Sequence, residues 1–155
     1  MRFGNCCNFK IFLIVSFFVV AAHAQFTPTS NTNLKGIAKI LDDTTVLAKS
    51  FKEGNVYTIA YLNQLAPDLQ GYASFSFKEK GNTAKKIYNL VRGRFHEESP
   101  QPVSFTTPKG TIKFEYGLSE TDSVWVRLAQ YDVNNRLEAY SVYLSPEHLK
   151  QLLEQ

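Results

Sequence analysis

The stretch VSFTTPKGTIKFEYG, residues 103–117, alternates apolar and polar side chains on both sides of Pro108-Lys109-Gly110. Alternation with a period of two, rich in β-branched and aromatic residues, marks a strand, and a proline-to-glycine break between two such runs turns the chain back on itself. Val103 to Thr107 and Thr111 to Gly117 are therefore predicted to form a hairpin. A polar loop then leads to SVWVRLAQY (123–131), a turn at Asp132 to Arg136 and a last run from Leu137 to Leu144. Every connection is short, so neighbouring strands should pair antiparallel as a meander.

Moving towards the N-terminus, the period changes. Ala84, Ile87, Tyr88, Val91 and Phe95 are spaced by three and four and fall on one face of a helix. Asn82 or Thr83 is placed to cap its start, and Gly93 to end it in a left-handed conformation. Before the helix, Asn55 to Leu62 and Tyr72 to Lys78 (YASFSFK) alternate as strands. Thr44 to Phe51 can pair with Asn55 to Leu62 through Lys52-Glu53-Gly54, though Leu34 to Leu41 and even Val46 to Phe51 are also compatible with helix. At the other end, Ser145-Pro146-Glu147 sets a capping hydroxyl, a first-turn proline and an acid before Leu149, Leu152 and Leu153, the pattern of a short terminal helix.

Strands, a helix, more strands and a terminal helix indicate an α+β domain. The expected form is a curved antiparallel sheet of about five to seven strands packed on one central helix, with a short C-terminal helix; the alternative is a β-sandwich or barrel with peripheral helices. Composition is even from residue 34 to residue 155, without an internal sequence repeat or a second linker, which argues for one globular domain. The polar segment QFTPTSNTN (25–33) reads as a flexible lead-in.

Residues 1–24 have the pattern of a secretory signal peptide. Arg2 and Lys10 form a basic start, the 12 residues from Ile11 to Ala22 carry no charge, and Ala22-His23-Ala24 offers small residues where a signal peptidase reads. The apolar run falls short of the roughly 20 residues a membrane-spanning helix needs. Cleavage after Ala24 would export the chain to the periplasm or the medium with no permanent membrane anchor. Cys6 and Cys7 would leave with the leader, so disulfides, thiolate metal sites and cysteine nucleophiles are not expected. Of the 17 Lys and Arg, two lie in the leader, which leaves 15 against 14 Asp and Glu. A nearly neutral exported domain is not a nucleic-acid binder on charge grounds.

In the meander, Ile112, Phe114 and Tyr116, then Val124, Val126 and Leu128, then Tyr140, Val142 and Leu144, are assigned to the core. The opposite face carries Lys113, Glu115, Trp125, Arg127, Tyr131, Ser141 and Tyr143. Flat rings beside charged groups suit a protein, peptide or glycan partner, because rings provide contact area and charges fix orientation. Lys113, Glu115, Trp125, Arg127, Tyr131 and Tyr143 are thus the candidate ligand-binding residues; ordinary cross-strand pairing and packing under a loop would produce the same pattern.

The chemical motifs are few. No G-x-S-x-G, H-E-x-x-H, P-loop or dinucleotide fingerprint occurs. His96-Glu97-Glu98 is the nearest approach to a metal cluster, but adjacent residues in an extended chain point different ways, so no metal and no cofactor is assigned. Asp132-Val133-Asn134-Asn135-Arg136 begins like a calcium loop yet has Leu137 where the sixth-position glycine belongs, and reads as a turn. The expectation is an exported non-catalytic binding module; the alternative is a small exported hydrolase using carboxylates that the sequence does not single out.

Overall fold

A computed structural model describes residues 35–65, 71–118 and 123–154; the leader and lead-in assignments lie outside these residues. In chain order the elements are β1 (Lys35–Asp42), β2 (Thr45–Glu53), β3 (Val56–Leu62), β4 (Tyr72–Lys78), α1 (Thr83–Arg92), β5 (Val103–Thr107), β6 (Gly110–Leu118), β7 (Val124–Tyr131), β8 (Leu137–Tyr140) and α2 (Pro146–Leu153). Within each sheet every strand pairs antiparallel with the next, and the strands among the described residues divide into two sheets of four, β1-β2-β3-β4 and β5-β6-β7-β8. The expected single curved sheet on a central helix is thus replaced by two meanders. The chain leaves β4 through α1 instead of a hairpin, so β4 and β5 do not join edge to edge.

The segment that was open between helix and strand is β1 and β2. Its helix-forming alanines and lysines are overridden by pairing, since Ala48 and Ser50 lie opposite Tyr61 and Ile59 of β3 and all four are buried. On the other face of this first sheet Lys49 is paired with Ala60, and Lys113 is paired with Ala129 at the corresponding place in the second. The architecture is therefore a four-strand meander followed by a helix, twice over.

The helices tie the two units together. Helix α2 follows the second sheet but packs on β1 and β2 of the first and on α1. The buried Tyr57 hydroxyl, from β3, donates to the Leu152 carbonyl. Helix α1 follows the first sheet, and its Val91 carbonyl accepts from the Tyr116 hydroxyl of β6 at 2.8 Å, while Phe95 meets the Tyr116 ring edge-on. Side chains from both sheets and both helices form one buried cluster, in which Phe75 of β4 and Phe105 of β5 both meet the Phe114 ring edge-on.

The apolar stripe of α1 buries Ala84, Ile87, Tyr88 and Val91 as the spacing predicts, but its ends differ from expectation. Asn82 makes no side-chain cap; the Glu79 carboxylate accepts the Thr83 and Ala84 amides at 2.7 and 3.0 Å, an anion at the positive helix end. Gly93 is right-handed (φ −57°), and tight turns continue past it to Glu97. In α2, Ser145 accepts the His148 amide and Leu149, Leu152 and Leu153 are buried, as expected.

Candidate functional site

The final run of the meander departs from its expected alternation, and this departure shapes the outer face of the second sheet. Tyr140 pairs with Ala129, whereas Leu144 bridges Val126, so one extra residue lies in the later strand between the two positions. An extra residue reverses which face the side chains take. At the irregularity the Ser141 hydroxyl accepts the Leu128 amide and donates to the Val142 carbonyl, and Ser141 is buried. Ser141 therefore belongs to the interior, and Tyr140, expected in the core, lies on the outer face with Tyr143. The other core assignments at Ile112, Phe114, Val126, Leu128 and Leu144 are observed as buried residues.

Tyr140 and Tyr143 both flank Arg127: its guanidinium carbon lies 4.8 Å from the first ring centroid and 5.6 Å from the second. The Tyr143 ring approaches β6 closely because position 117 is glycine; a Cβ there would stand 2.7 Å from its ring. Arg127 is directly opposite Glu115; its Nε donates to Glu115 Oε2 at 2.9 Å, and Nη2 lies 2.9 Å from the same oxygen in the ion pair. The other oxygen, Oε1, accepts the Tyr131 hydroxyl at 2.6 Å. Lys113 Nζ then stands 4.0 Å from the centre of the Tyr131 ring, within cation–π range. Ala129, although on this face, is completely buried beneath its larger neighbours.

The structure thus joins five of the six candidate residues, Lys113, Tyr131, Glu115, Arg127 and Tyr143, in one continuous row, with Tyr140 as a member that the sequence did not reveal. Trp125, the sixth, is half-buried opposite Gly117 on the same face, next to the end of the row. The Glu115 and Arg127 side chains keep 16% and 28% exposure, so their pairing is partly shielded from solvent but remains reachable.

This geometry sets the protonation of the row. The Tyr131 phenol is raised above its ordinary value because its hydroxyl donates to the Glu115 carboxylate, with burial and the Glu115 charge adding to the effect and Arg127 opposing it. A raised folded-state value means that this bond contributes below the ordinary phenol range and is lost only as pH climbs through the raised value, so the row is intact at neutral pH. Glu115→Gln removes the charge and weakens the bond, and the Tyr131 titration should move down towards 10.0. Tyrosine ring-carbon shifts followed by NMR against pH would show it; an unmoved titration would mean that Glu115 does not hold Tyr131.

Two other polar features have structural occupations. Asp132 accepts the Asn134 and Arg136 amides at 2.8 and 2.7 Å and clasps the β7–β8 turn; its pKa is lowered, first by the Arg136 bond. Glu97 is paired with Arg94 at 3.0 Å beside exposed His96, and among the described residues no three His, Cys, Asp or Glu side chains converge as a metal site. A cleft of about 620 Å³ opens between the sheets where β4 begins, with Asp132 and Glu138 in its lining. In comparisons with known proteins, no family model matches the chain and no curated protein matches it.

Proposed function

We propose that the chain is an exported, non-catalytic binding module that works outside the cytoplasm, in the periplasm or the medium, and engages a protein, peptide or glycan through the outer face of the β5–β8 sheet. The observation that carries this reading is the preformed row, in which Arg127 is held between Tyr140 and Tyr143 by Glu115. Side chains already fixed by neighbours lose little freedom when a partner arrives, and tyrosine and arginine are the residue types that most often anchor such contacts. Export rests on the leader pattern of residues 1–24.

The hydrolase alternative draws no comparable support. Of the two acids in the inter-sheet cleft, Asp132 is held below the ordinary carboxylate range by backbone amides, the opposite of what a general acid needs.

Trp125→Ala separates a binding face from a packed one. On the binding reading its Tm stays within about 3 °C of wild type while affinity for the partner falls on the order of 30-fold, the size of a loss of about 2 kcal/mol at an interface anchor. Thermal melting together with titration of the full chain would check it. A fall in Tm on the scale of a large core deletion would make Trp125 a packing residue and remove this support.

A further inference from the structure

The two sheets end in β1, β4, β5 and β8, and three of these edges are blunted. Two register shifts break the pairing of β1 with β2, β5 has five residues and follows Pro100 and Pro102, and β8 has four residues beside a further shift. Bulges, prolines and short length are the usual means by which proteins keep sheet edges from pairing. Strand β4 has none of them. It runs seven residues from Tyr72 to Lys78 without proline and in unbroken register with β3, and among the described residues no strand pairs with its other side.

The register fixes what that side presents. The Asn63 amide donates to the Gly71 carbonyl and the Glu79 amide to the Asn55 carbonyl, so Gly71, Ala73, Phe75, Phe77 and Glu79 are the residues bonded to β3. Tyr72, Ser74, Ser76 and Lys78, which alternate with them, turn their N–H and C=O groups to the free edge. Such an edge is a template for another strand. The inward side chains Ala73, Phe75 and Phe77 remain only partly buried against the core, so a strand added here also removes apolar surface from water.

We propose that the occupant is a second copy of this chain, joined β4 to β4 antiparallel across a two-fold axis at Phe75. Only an axis centred on Phe75 engages all seven residues. It also sets edge-facing residues against each other, Tyr72 against Lys78 of the second copy and Ser74 against Ser76 of the second copy, so that backbone donors meet backbone acceptors. The outer face then joins a ring to an ammonium group and a hydroxyl to a hydroxyl. Strand β4 makes both kinds of contact within its own sheet, with Lys49 Nζ 5.3 Å from the centre of the Tyr72 ring and the Thr58 hydroxyl 2.8 Å from that of Ser76. On the inner face Ala73 meets Phe77 of the second copy, small against large, and the two Phe75 rings meet at the axis. The strand is thus its own complement, which a strand of unrelated sequence is not. Two four-strand sheets become one continuous sheet, and because each copy has one such edge, association stops at two.

This interface leaves the outer face of β5–β8 free, so it stands or falls apart from the binding reading, and Trp125→Ala should leave it unchanged. The test is sedimentation equilibrium of the full chain over a concentration series reaching about 1 mM, with hydrogen exchange read residue by residue along β4. The expected result is a dimer in which the amides of Tyr72, Ser74, Ser76 and Lys78 gain protection as concentration rises, while those of Ala73, Phe75 and Phe77 are protected throughout. Ser74→Pro removes an edge donor without removing a bond to β3, and should weaken association by at least about tenfold. Should that variant fail to fold, charge decides the matter: Ser74→Glu/Ser76→Glu and Ser74→Lys/Ser76→Lys each set like charges opposite one another and should be monomeric, whereas an equimolar mixture of the two should pair. A wild-type chain that stays monomeric across the series, growth beyond two copies, undiminished association in folded Ser74→Pro, or a mixture that remains monomeric overturns the proposal. A dimer whose β4 edge amides gain no protection has its contact elsewhere and overturns it equally.

Discussion

Gly110→Ala is expected to lower the Tm by roughly 10–20 °C. Two independent penalties combine: the side chain meets main-chain oxygen of Tyr131 at 1.9 Å, where no rotamer can relieve the clash, and φ of +139° is a conformation that alanine strongly resists. Overpacking and backbone strain cost about 1–3 kcal/mol each, and a domain of this size loses roughly 4 °C per kcal/mol. Differential scanning calorimetry would measure it. A Tm within a few degrees of wild type would mean that the β5–β6 turn does not pack against β7 as described, and the walls of the cleft would have to be redrawn.

Leu152→Ala should have a comparable effect through a different route. Leu152 is completely buried, and its carbonyl receives the Tyr57 hydroxyl from the first sheet. Truncating a leucine in such a place costs about 2–5 kcal/mol, from lost transfer energy and the cavity left behind. The distribution of the loss is more informative than its size. Because α2 packs on β1 and β2, hydrogen exchange should accelerate most in the first sheet, which is remote in sequence, and less in β5–β8, which immediately precede the helix. The reverse pattern would contradict the crossing of the helices between units.

The strands and helices were legible where a local period decides the matter. The hairpin at 103–117, the α1 stripe and the Ser145 cap all depend on side chains a few residues apart, and each is found. Partition into two sheets was not legible, because alternating side chains read the same in one sheet of eight strands as in two of four. Nor was the twofold architecture, whose corresponding pairs, Lys49 with Ala60 and Lys113 with Ala129, become visible only through register. In the site, alternation placed Lys113, Glu115, Arg127 and Tyr131 together correctly. It misplaced Tyr140 because the extra residue near Ser141 reverses the faces, and nothing in the string YSVYL announces that the serine will accept the Leu128 amide. The close approach of Tyr143 to Gly117 was equally hidden, since it depends on two residues brought together by the fold.

The central claim, that the outer face of the β5–β8 sheet is a binding surface, is tested most directly by the melting temperature of the full chain against a panel of glycans and peptides, in parallel with the double variant Trp125→Ala/Tyr143→Ala. A true ligand at about 100 times its dissociation constant adds about 2.7 kcal/mol, a rise of several degrees. The account predicts such a rise for at least one glycan or peptide in the wild type and its loss in the double variant, whose own Tm remains close to wild type. A panel in which every ligand that raises the Tm of the wild type raises it equally in the double variant would place the binding surface elsewhere and contradict the claim.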